Sequence, residues 1–301
     1  MPQNADSPVS HPVKDVDLKG GAVALLVSLF WGANPVAIKL GLLDAPPIRL
    51  AWMRFLVGGL VIVLWAWSTG RLAGFRIEPG EWPPLIFLGL LFTVQVGSTN
   101  VGTSLTSAGH VVILLHLYAV HTVGLAHFMI PGDRLTVRKL AGVLVAYAGI
   151  VILFVRQVTQ SSPTLAGDLI IIVSSFLLAL RTVYMARTVQ RVDPVKLLLA
   201  QAVIGTALFV LVSTALEPEP TRWTARLAAS IGYQGVVVAG FNFAVNLWLL
   251  RHYRPSALAG FFLTQPLFGV ATAALLTGDA LTLDVLLASA AVAVGIGLTS
   301  R

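Results

Sequence analysis

Residues 18–39 read "LKGGAVALLVSLFWGANPVAIK", a run that is long and apolar enough to cross a membrane. A spanning helix needs roughly 20 apolar residues to traverse about 30 Å of hydrocarbon. Residues 165–186, "LAGDLIIIVSSFLLALRTVYMA", repeat the same pattern of small, apolar and polar positions at an offset of 147 (165 minus 18). The stretch therefore predicts both a membrane-spanning helix and an internal duplication.

The composition of the whole chain supports a lipid environment. Of the 301 residues, 56% are hydrophobic and only 11% are charged, whereas a soluble domain averages about 25% charged residues. The mean hydropathy is +0.85. We therefore predict an integral membrane protein whose partner is the lipid bilayer.

Charges and prolines divide the chain into ten apolar segments. They lie near residues 20–40, 48–68, 83–104, 107–129, 137–156, 165–187, 195–215, 230–250, 256–277 and 282–299. Every backbone polar group in lipid must be bonded internally, which leaves helices or a closed barrel, and the apolar runs do not alternate as barrel strands do. The predicted fold class is an all-α membrane protein with ten transmembrane helices.

Two further matches extend the duplication. "TSAGHVVILLHL" at 106–117 resembles "PSALAGFFLTQP" at 255–266, and "GDRLT" at 132–136 resembles "GDALT" at 278–282. Because five helices are an odd number, the second copy must enter the membrane from the opposite face, which is typical of secondary transporters. We predict a tail at 1–19 and two inverted five-helix repeats at 20–156 and 157–301.

Basic residues predict the orientation. With the N-terminus in the cytoplasm, the cytoplasmic side receives Lys14, Lys19, Arg71, Arg76, Arg134, Arg138, Lys139, Arg187, Arg191, Lys196, Arg251, Arg254 and Arg301, and the other side receives Lys39, Arg49, Arg156, Arg222 and Arg226. Lysine and arginine concentrate in cytoplasmic loops, so both termini are predicted to be cytoplasmic. No basic cluster indicates a nucleic-acid partner.

The segments "LFWGANPVAIKLGLLDAPPIRLAWMRFLVGG" (29–59) and "RPSALAGFFLTQPLFGVATAALLTGDALT" (254–282) resemble the EamA-type members of the drug/metabolite transporter superfamily. The resemblance covers about residues 20–299. It implies a ten-helix exporter of amino acids or related small molecules, with a cavity bounded by helices 1, 3, 4, 6, 8 and 9. The family's helix 4 usually carries a proline that this chain lacks, whereas Pro266 is present in helix 9, so the two halves are expected to bend differently.

Polar side chains in the predicted spans are candidates for substrate binding, because such groups are costly in lipid and usually face a cavity or a partner. The repeat pairs His116 with Gln265 near the centres of helices 4 and 9, and each can offer a donor and an acceptor. This suits a zwitterion or an amide; the alternative is a hydrogen bond between helices. The other predicted cavity residues are Asn34, Gln95, Arg181, Asn242 and Asn246.

Arginines inside the spans allow two interpretations. Arg181, which the repeat pairs with Asn34, could clamp a substrate carboxylate, or it could extend to the cytoplasmic edge. Arg54, paired with Gln201, is interpreted as structural. For Asn242 and Asn246, the alternative to lining the cavity is a hydrogen bond that joins two helices.

Four histidines lie in the apolar stretch "GHVVILLHLYAVHTVGLAH" at 109–127. His110 and His127 fall near opposite helix ends, which leaves His116 and His121 at depth. The i, i+4 spacing of a helical metal pair is absent, so neither a metal site nor any other cofactor is predicted. His121 or His116 could couple transport to protons, and substrate-driven export is the alternative.

The carboxylates all fall in tails, loops or span termini. A proton-driven exporter of lipophilic cations would normally need a buried carboxylate, so a multidrug or organic-cation exporter is the less favoured reading. An intramembrane enzyme lacks G-x-S-x-G, H-E-x-x-H and P-loop motifs, and a channel lacks rings of like charge. We predict no enzymatic activity, and export of small metabolites, including aromatic amino acids, from a bacterial inner membrane by alternating access.

Small residues indicate close packing of helices 5 and 10. They are Gly142, Ala146 and Gly149 on the former and Ala288 and Gly295 on the latter. Small residues let helix backbones approach in membranes, and we expect that these helices could also support a homodimer. Tryptophans such as Trp31 and Trp65 are interpreted as an aromatic belt.

Overall fold

The structure is a computed structural model that describes residues 14–73, 75–106, 108–159, 165–277 and 283–299. These residues are helical apart from short connections and one isolated bridge between Lys14 and Tyr253. The first half contains α1 Leu18–Gly41, α2 Pro47–Ser68, α3 Trp82–Leu105, α4 Ala108–His116, α5 Tyr118–Met129 and α6 Val137–Thr159. The second half contains α7 Leu165–Thr188, α8 Pro194–Leu216, α9 Ala225–Gly232, a π-helical segment Tyr233–Asn242, α10 Phe243–His252, α11 Pro255–Phe262, α12 Gln265–Thr277 and α13 Leu283–Thr299.

These helices form ten spans in the predicted order. Within the described ranges, eight continuous or nearly continuous helical stretches are long and apolar enough to cross a membrane. They are spans 1–8, of which span 4 is α4 with α5 and span 8 is α9, the π-helical segment and α10. The shorter apolar helices α11 with α12, and α13, follow as spans 9 and 10. The all-α membrane fold predicted from the sequence is confirmed.

Spans 4 and 9 are both interrupted near their middles. The amide of Leu117 bonds to Leu114 O at 3.3 Å, and the amide of Leu263 bonds to Gly260 O at 3.3 Å, so each break is a tightened turn with an i to i−3 bond. Pro266 accounts for a break in span 9, but span 4 breaks without a proline. The two halves were expected to bend differently, but both spans are interrupted by the same kind of turn at equivalent places. Both halves therefore offer a pair of short helices that meet near mid-membrane.

The contacts between spans follow the repeat. Span 3 packs on span 6, and span 8 on span 1; span 4 packs on span 6, and span 9 on span 1. Equivalent residue pairs are bonded, with donor and acceptor exchanged: Asn242 Nδ2 donates to Val27 O at 2.9 Å, and Ser174 Oγ donates to Gln95 O at 3.0 Å (174 minus 27 and 242 minus 95 are both 147). The contact between spans 1 and 8 is therefore equivalent to the contact between spans 3 and 6.

Equivalent spans run in opposite directions where they meet. In spans 5 and 10, the start of one helix lies against the end of the other: Gly142 approaches Gly295 O, and Gly149 lies near Ala288 O. Spans 2 and 7 also cross antiparallel, since the amide of Ile48 at the start of span 2 bonds to Glu217 just after the end of span 7. The halves are therefore inverted, as the odd helix number predicts.

Helix starts are fixed by capping residues that lie at the membrane faces. Asp17 accepts from the Gly20 amide at 2.8 Å, Asp193 accepts from the Val195 amide at 2.8 Å, and Thr224 caps α9. Such caps satisfy amides that the helix itself leaves unbonded. We call the face that carries Lys14–Asp17 the N-terminal face, and the other the opposite face.

On the opposite face, the loop between spans 1 and 2 is tied to the loop between spans 7 and 8. Asp44 accepts two bonds of 2.8 Å from the Arg226 guanidinium and one from the Thr224 hydroxyl at 2.8 Å. The Arg226 bond and then the Thr224 bond lower the pKa of Asp44 to about 2. Asp44 is therefore ionised at neutral pH, and its ion pair with Arg226 holds the two connections together.

The small residues of spans 5 and 10 face each other within the chain. Ala146 and Ala288 are fully buried, and the backbones of Gly142 and Gly295 are in direct contact. These side chains are consequently not available to a second copy. A homodimer through the outer surfaces of these two spans stays a prediction.

Replacing Gly295 by Ala should lower the free energy of unfolding by about 1–3 kcal/mol, the usual cost of overpacking. A Cβ at Gly295 would lie 2.6 Å from Ala146 Cβ and against Gly142 O. Gly297→Ala on the same helix is the matched control, because a Cβ there meets nothing within 4 Å. Unfolding in detergent micelles measures both variants; equal stability of the two would contradict the close packing.

Candidate functional site

A cleft separates the two halves on the opposite face. Residues His110–Leu117 are all half-buried, as are most residues of Gln265–Thr272. Within the described ranges, α4 and α12 do not pack on each other in the way that α5 and α11 do. We call the space bounded by α4, α12 and the last third of span 1 the central cleft.

The cleft is closed toward the N-terminal face. Residues Pro255–Thr264 are buried without a break. Ala119 and Val123 of span 4 share an apolar cluster with Ala259 and Leu263 of span 9. The cleft therefore opens on one face only.

Aromatic rings form the bottom of the cleft. The indole of half-buried Trp31 packs edge-on against Phe262 (5.6 Å between ring centroids) and at a steep angle on Phe243 (6.1 Å). Trp31 lies mid-span, so its interpretation as part of an aromatic belt was wrong. Its ring separates the open cleft from the buried groups below.

A polar cluster holds the closed side together. The buried carboxylate of Asp133 accepts from Lys139 Nζ at 2.6 Å, from the Ser256 hydroxyl, and from the Ser256 amide at 3.3 Å. Asp133 follows Gly132, whose φ of 81° is readily available only to glycine. We call Asp133, Lys139 and Ser256 the N-face latch, because they join the end of span 4 to the start of span 9.

The start of the described chain reinforces this closure. The Lys14 amide donates to His252 O at 3.1 Å, and the Tyr253 hydroxyl donates to Asp17 at 2.7 Å. The hydrogen bond from Lys14, together with the Gly20 amide, holds the pKa of Asp17 well below its usual range. Residues 14–19 of the predicted tail therefore pack on the loop between spans 8 and 9; residues 1–13 lie outside the described part.

His116 and Gln265 both border the break in their span. His116 Nδ1 bonds to Val112 O at 2.7 Å, and its ring lies 6.0 Å from that of Tyr118. Among the described residues, neither His116 Nε2 nor the Gln265 amide has a hydrogen-bond partner. Both side chains are half-buried at the cleft. This arrangement leaves polar atoms free for a ligand rather than joining the two helices to each other.

Asn34 lies in the last third of span 1, beside the cleft. It is half-buried, and within the described chain its Oδ1 has no hydrogen-bond partner. Gly32, two residues nearer the membrane centre, lets span 1 approach the backbone of span 9 at Gln265 and Gly269. A side chain at Gly32 would force these spans apart.

Gln95 and Asn242 both lie where two spans are joined by a hydrogen bond. Gln95 Nε2 donates to Thr99 Oγ1 of its own helix at 3.0 Å, and the backbone carbonyl of Gln95 accepts from Ser174 Oγ of span 6. Asn242 Nδ2 donates to the backbone carbonyl of Val27 in span 1. Gln95 and Asn242 are both buried and occupy equivalent positions of the repeat. The contact of Asn242 favours the bridging alternative over direct cavity lining, whereas the Gln95 side chain is bonded within its own span.

Arg181 and Asn246 lie below the cleft bottom, in the closed half. The Arg181 guanidinium is 5.1 Å from the Phe92 ring centroid and 5.7 Å from that of Phe243, and the residue is only 8% exposed. Within the described chain, its Nε and Nη1 atoms and the Oδ1 of Asn246 have no hydrogen-bond partner. The arginine is enclosed by aromatic rings, which does not match the alternative of extension to the membrane edge.

The remaining histidines have structural partners. His121 Nδ1 lies 3.3 Å from Ser175 Oγ, and its ring packs on Phe176. His110 bonds to Asp168 at 2.8 Å near the opposite face. In the described part of the chain, no three acidic or histidine side chains cluster as metal ligands do.

Charge in the membrane interior is purely positive over the described ranges. The carboxylates there lie at helix ends or in connections, for example Asp168 in the first turn of span 6. Arg54 is buried and donates to Gln234 Oε1 at 3.1 Å, which agrees with its structural interpretation. A mid-membrane carboxylate that could exchange a proton for a cation is therefore absent from these residues.

The EamA-like transporter family model matches this chain twice, over residues 18–155 and 165–301. The chain belongs to the EamA-like transporter family. The two matched ranges correspond to the two inverted halves; the predicted boundaries at 19/20 and 156/157 stay predictions.

Relatives of this EamA-like chain are transporters by name. It is 26% identical to the uncharacterized transporter YvbV of Bacillus subtilis over 88% of this chain and 85% of that protein. It is also 26% identical to a probable amino-acid metabolite efflux pump of Salmonella typhimurium, covering 88% and 89% of the two chains. A crystal structure of a protein with 18% identity matches 93% of this chain and 97% of its own with a TM-score of 0.79, which shows the same fold. The protein is therefore a membrane transporter of small molecules by family.

Several residues around the cleft and at its closed side carry no distinct signal in the sequence. Phe92 and Phe243, which enclose Arg181, look like ordinary apolar positions in the sequence. Ser174 could have been found, because the 147-residue offset places it opposite Gln95 as Val27 is opposite Asn242. The latch could not, since its members come from spans 4, 5 and 9.

Replacing Asp133 by Asn should open the N-terminal face. The change leaves the buried Lys139 ammonium unpaired, and breaking a buried ion pair costs about 3–5 kcal/mol. The chain has no cysteine, so a single cysteine at buried Ala259 can report access. A membrane-impermeant maleimide applied at the N-terminal face should label it about tenfold faster or more.

The matched control is Asp193→Asn on the same face. Asp193 caps span 7 through the Val195 amide and does not join spans 4 and 9. Its labelling rate should stay at the parental value. Equal rates in the Asp133 variant and the parent, or an equal rise in the control, would refute the role of the latch.

Proposed function

We propose that this transporter exports small metabolites, most of all amino acids including aromatic ones, by alternating access through the central cleft. The observation that carries the proposal is a cleft between inverted halves, closed at the N-face latch and lined by unpaired polar groups of His116, Gln265 and Asn34. Groups that can donate and accept suit a zwitterion. The efflux-pump relatives support the substrate class.

Alternating access follows from the symmetry of the halves. The α5 and α11 half-helices are packed together at the N-terminal face, and their counterparts α4 and α12 are apart at the opposite face. Exchanging the two arrangements between the halves gives a second state that opens to the N-terminal face. Transporters with inverted repeats commonly work in this way.

The proposal also includes the membrane in which the protein lies and the direction of transport. We place both termini in the cytoplasm of a bacterial inner membrane, from the excess of basic residues at the N-terminal face. The structure then represents the outward-open state, and export requires loading at the N-terminal face. The organic-cation alternative has no mid-membrane carboxylate within the described chain to support it.

His121 is the proposed proton-coupling group. Ser175 Oγ donates to Ile172 O at 2.7 Å, so the His121 Nδ1 hydrogen is directed at Ser175 Oγ, and Nε2 is the nitrogen that can take a proton. Flux that responds to an imposed pH gradient in the parent but not in His121→Gln supports coupling. If flux through the parent does not respond to the pH gradient, export is driven by the substrate gradient instead.

Reconstituted liposomes should show saturable flux of phenylalanine and no saturable flux of a lipophilic quaternary ammonium ion. His116→Ala and Gln265→Ala should each lower the phenylalanine rate by about two- to tenfold, the equivalent of one lost hydrogen bond of about 0.5–1.5 kcal/mol. Labelled substrate uptake measures the rates.

Matched controls are available for both side-chain types. His127→Ala changes an exposed histidine at the end of span 4, and Gln190→Ala removes an amide that bonds to Arg251 O at the N-terminal face. Both should transport normally. Normal flux in the two cleft variants would refute the site, and saturable flux of cations alone would refute the substrate class.

A further inference from the structure

The buried guanidinium of Arg181 is the most unusual charge in the molecule. It lies in the closed half, 8% exposed, between the rings of Phe92 and Phe243. Its Nε and Nη1 atoms have no partner within the described residues, and the ion pairs found there do not include it. The rings offer cation–π attraction, but they satisfy none of the N–H donors. An unpaired charge in a membrane interior indicates a partner that binds there.

A buried hydrogen-bond acceptor without a partner among the described residues lies on α10, a helix that packs on span 6. Asn246 follows Phe243 by one helical turn, and its Oδ1 is buried without a partner within the described part of the chain. The guanidinium can donate to a carboxylate in a two-bond geometry, and the amide oxygen can accept from an ammonium group. An α-amino acid carries both groups on one carbon.

The inverted repeat shows when this place would be open. Arg181 and Asn34 are equivalent at the 147-residue offset (181 minus 34), and each lies in the last third of its span. Asn34 lies beside the cleft now open at the opposite face, whereas Arg181 lies below the ring of Trp31. Opening to the N-terminal face would give Arg181 the exposure that Asn34 has here.

We propose that Arg181, with Asn246, forms the subsite that binds the carboxylate and ammonium of an amino acid when the cleft opens to the N-terminal face. The inference rests on the proposed alternating access and adds the substrate's anionic group and the side on which it is bound. The counterpart Asn34 is a neutral amide, so the same carboxylate is held less tightly at the opposite face. This asymmetry changes the KM on the two faces and leaves the equilibrium gradient unchanged, because a carrier cannot create a gradient by affinity alone.

Binding to the purified protein in lipid nanodiscs tests the subsite without requiring transport. The probes are phenylalanine and phenylalaninamide, which differ only in the carboxylate. The parent should bind the acid at least about tenfold more tightly, as expected for a hydrogen bond to a charged group. Arg181→Gln should reduce this preference to about twofold or less.

Arg54→Gln is the matched control, because Arg54 is equally buried and lies 4.7 Å from the Phe55 ring but already donates to Gln234. It should keep the preference for the acid. Arg181→Lys should restore part of it, since the charge is kept. A preference that survives in Arg181→Gln, or a parent that binds neither probe or prefers the amide, would overturn the proposal.

Transport by the same preparations separates this proposal from the proposed function. Retained Arg181-dependent binding without amino-acid flux would leave the subsite standing and refute amino-acid export. Amino-acid flux together with binding that does not depend on Arg181 would support amino-acid export and refute the subsite.

In sided vesicles, the parent's KM for phenylalanine should be lower at the N-terminal face than at the opposite face. Arg181→Asn should make the two KM values equal within about twofold. An unchanged ratio of the two KM values counts against the subsite.

Discussion

Hydrocarbon offers no hydrogen bonds, so every polar group in this bundle must find a partner in the protein or face a water-filled space. An unsatisfied group in lipid costs several kcal/mol, which exceeds the roughly 0.6 kcal/mol that an interhelical hydrogen bond contributes on average. Within the described chain, most polar residues of the spans meet this requirement, and the unpaired atoms of Arg181 and Asn246 are among the exceptions. Asn242 joins span 8 to span 1, and Ser174 joins span 6 to span 3 at the equivalent contact, whereas His116, Gln265 and Asn34 border the cleft with unpaired atoms.

The same constraint explains how closure is built. The N-face latch brings a carboxylate, an ammonium and a helix start together, so each satisfies the others and the end of span 4 is fixed to the start of span 9. Apolar packing of α5 on α11 joins the same two spans. The closed half is therefore held by polar and apolar contacts together, while the open half leaves the breaks of spans 4 and 9 accessible. Two short helices per half are the elements that differ between the faces.

Much of this arrangement could be predicted from the sequence because it depends on periodic and repeated features. The ten spans follow from apolar length, and the inverted halves follow from the match between residues 18–39 and 165–186. The repeat also pairs His116 with Gln265 (265 minus 116 is 149) and Asn34 with Arg181 (181 minus 34 is 147). The structure places the first three of these at the cleft and Arg181 below it.

Other features depend on contacts that no local pattern encodes. Span 4 breaks after His116 without a proline, at a tightened turn in which the Leu117 amide bonds to Leu114 O. Trp31 looks like an interfacial residue but packs on Phe262 at mid-membrane. The small residues of spans 5 and 10 were correctly assigned to close packing, but only the fold shows that their partners lie in the same chain.

The central claim is that the two halves face opposite sides of the membrane, and sided labelling of two single cysteines tests it most directly. Leu43 follows span 1, and Arg191 occupies the equivalent connection after span 6; both are exposed. In the cysteine-free chain, an impermeant maleimide should label Leu43→Cys from one side of the membrane and Arg191→Cys only from the other. Labelling of both positions from the same side would contradict the inverted architecture and the transport mechanism built on it.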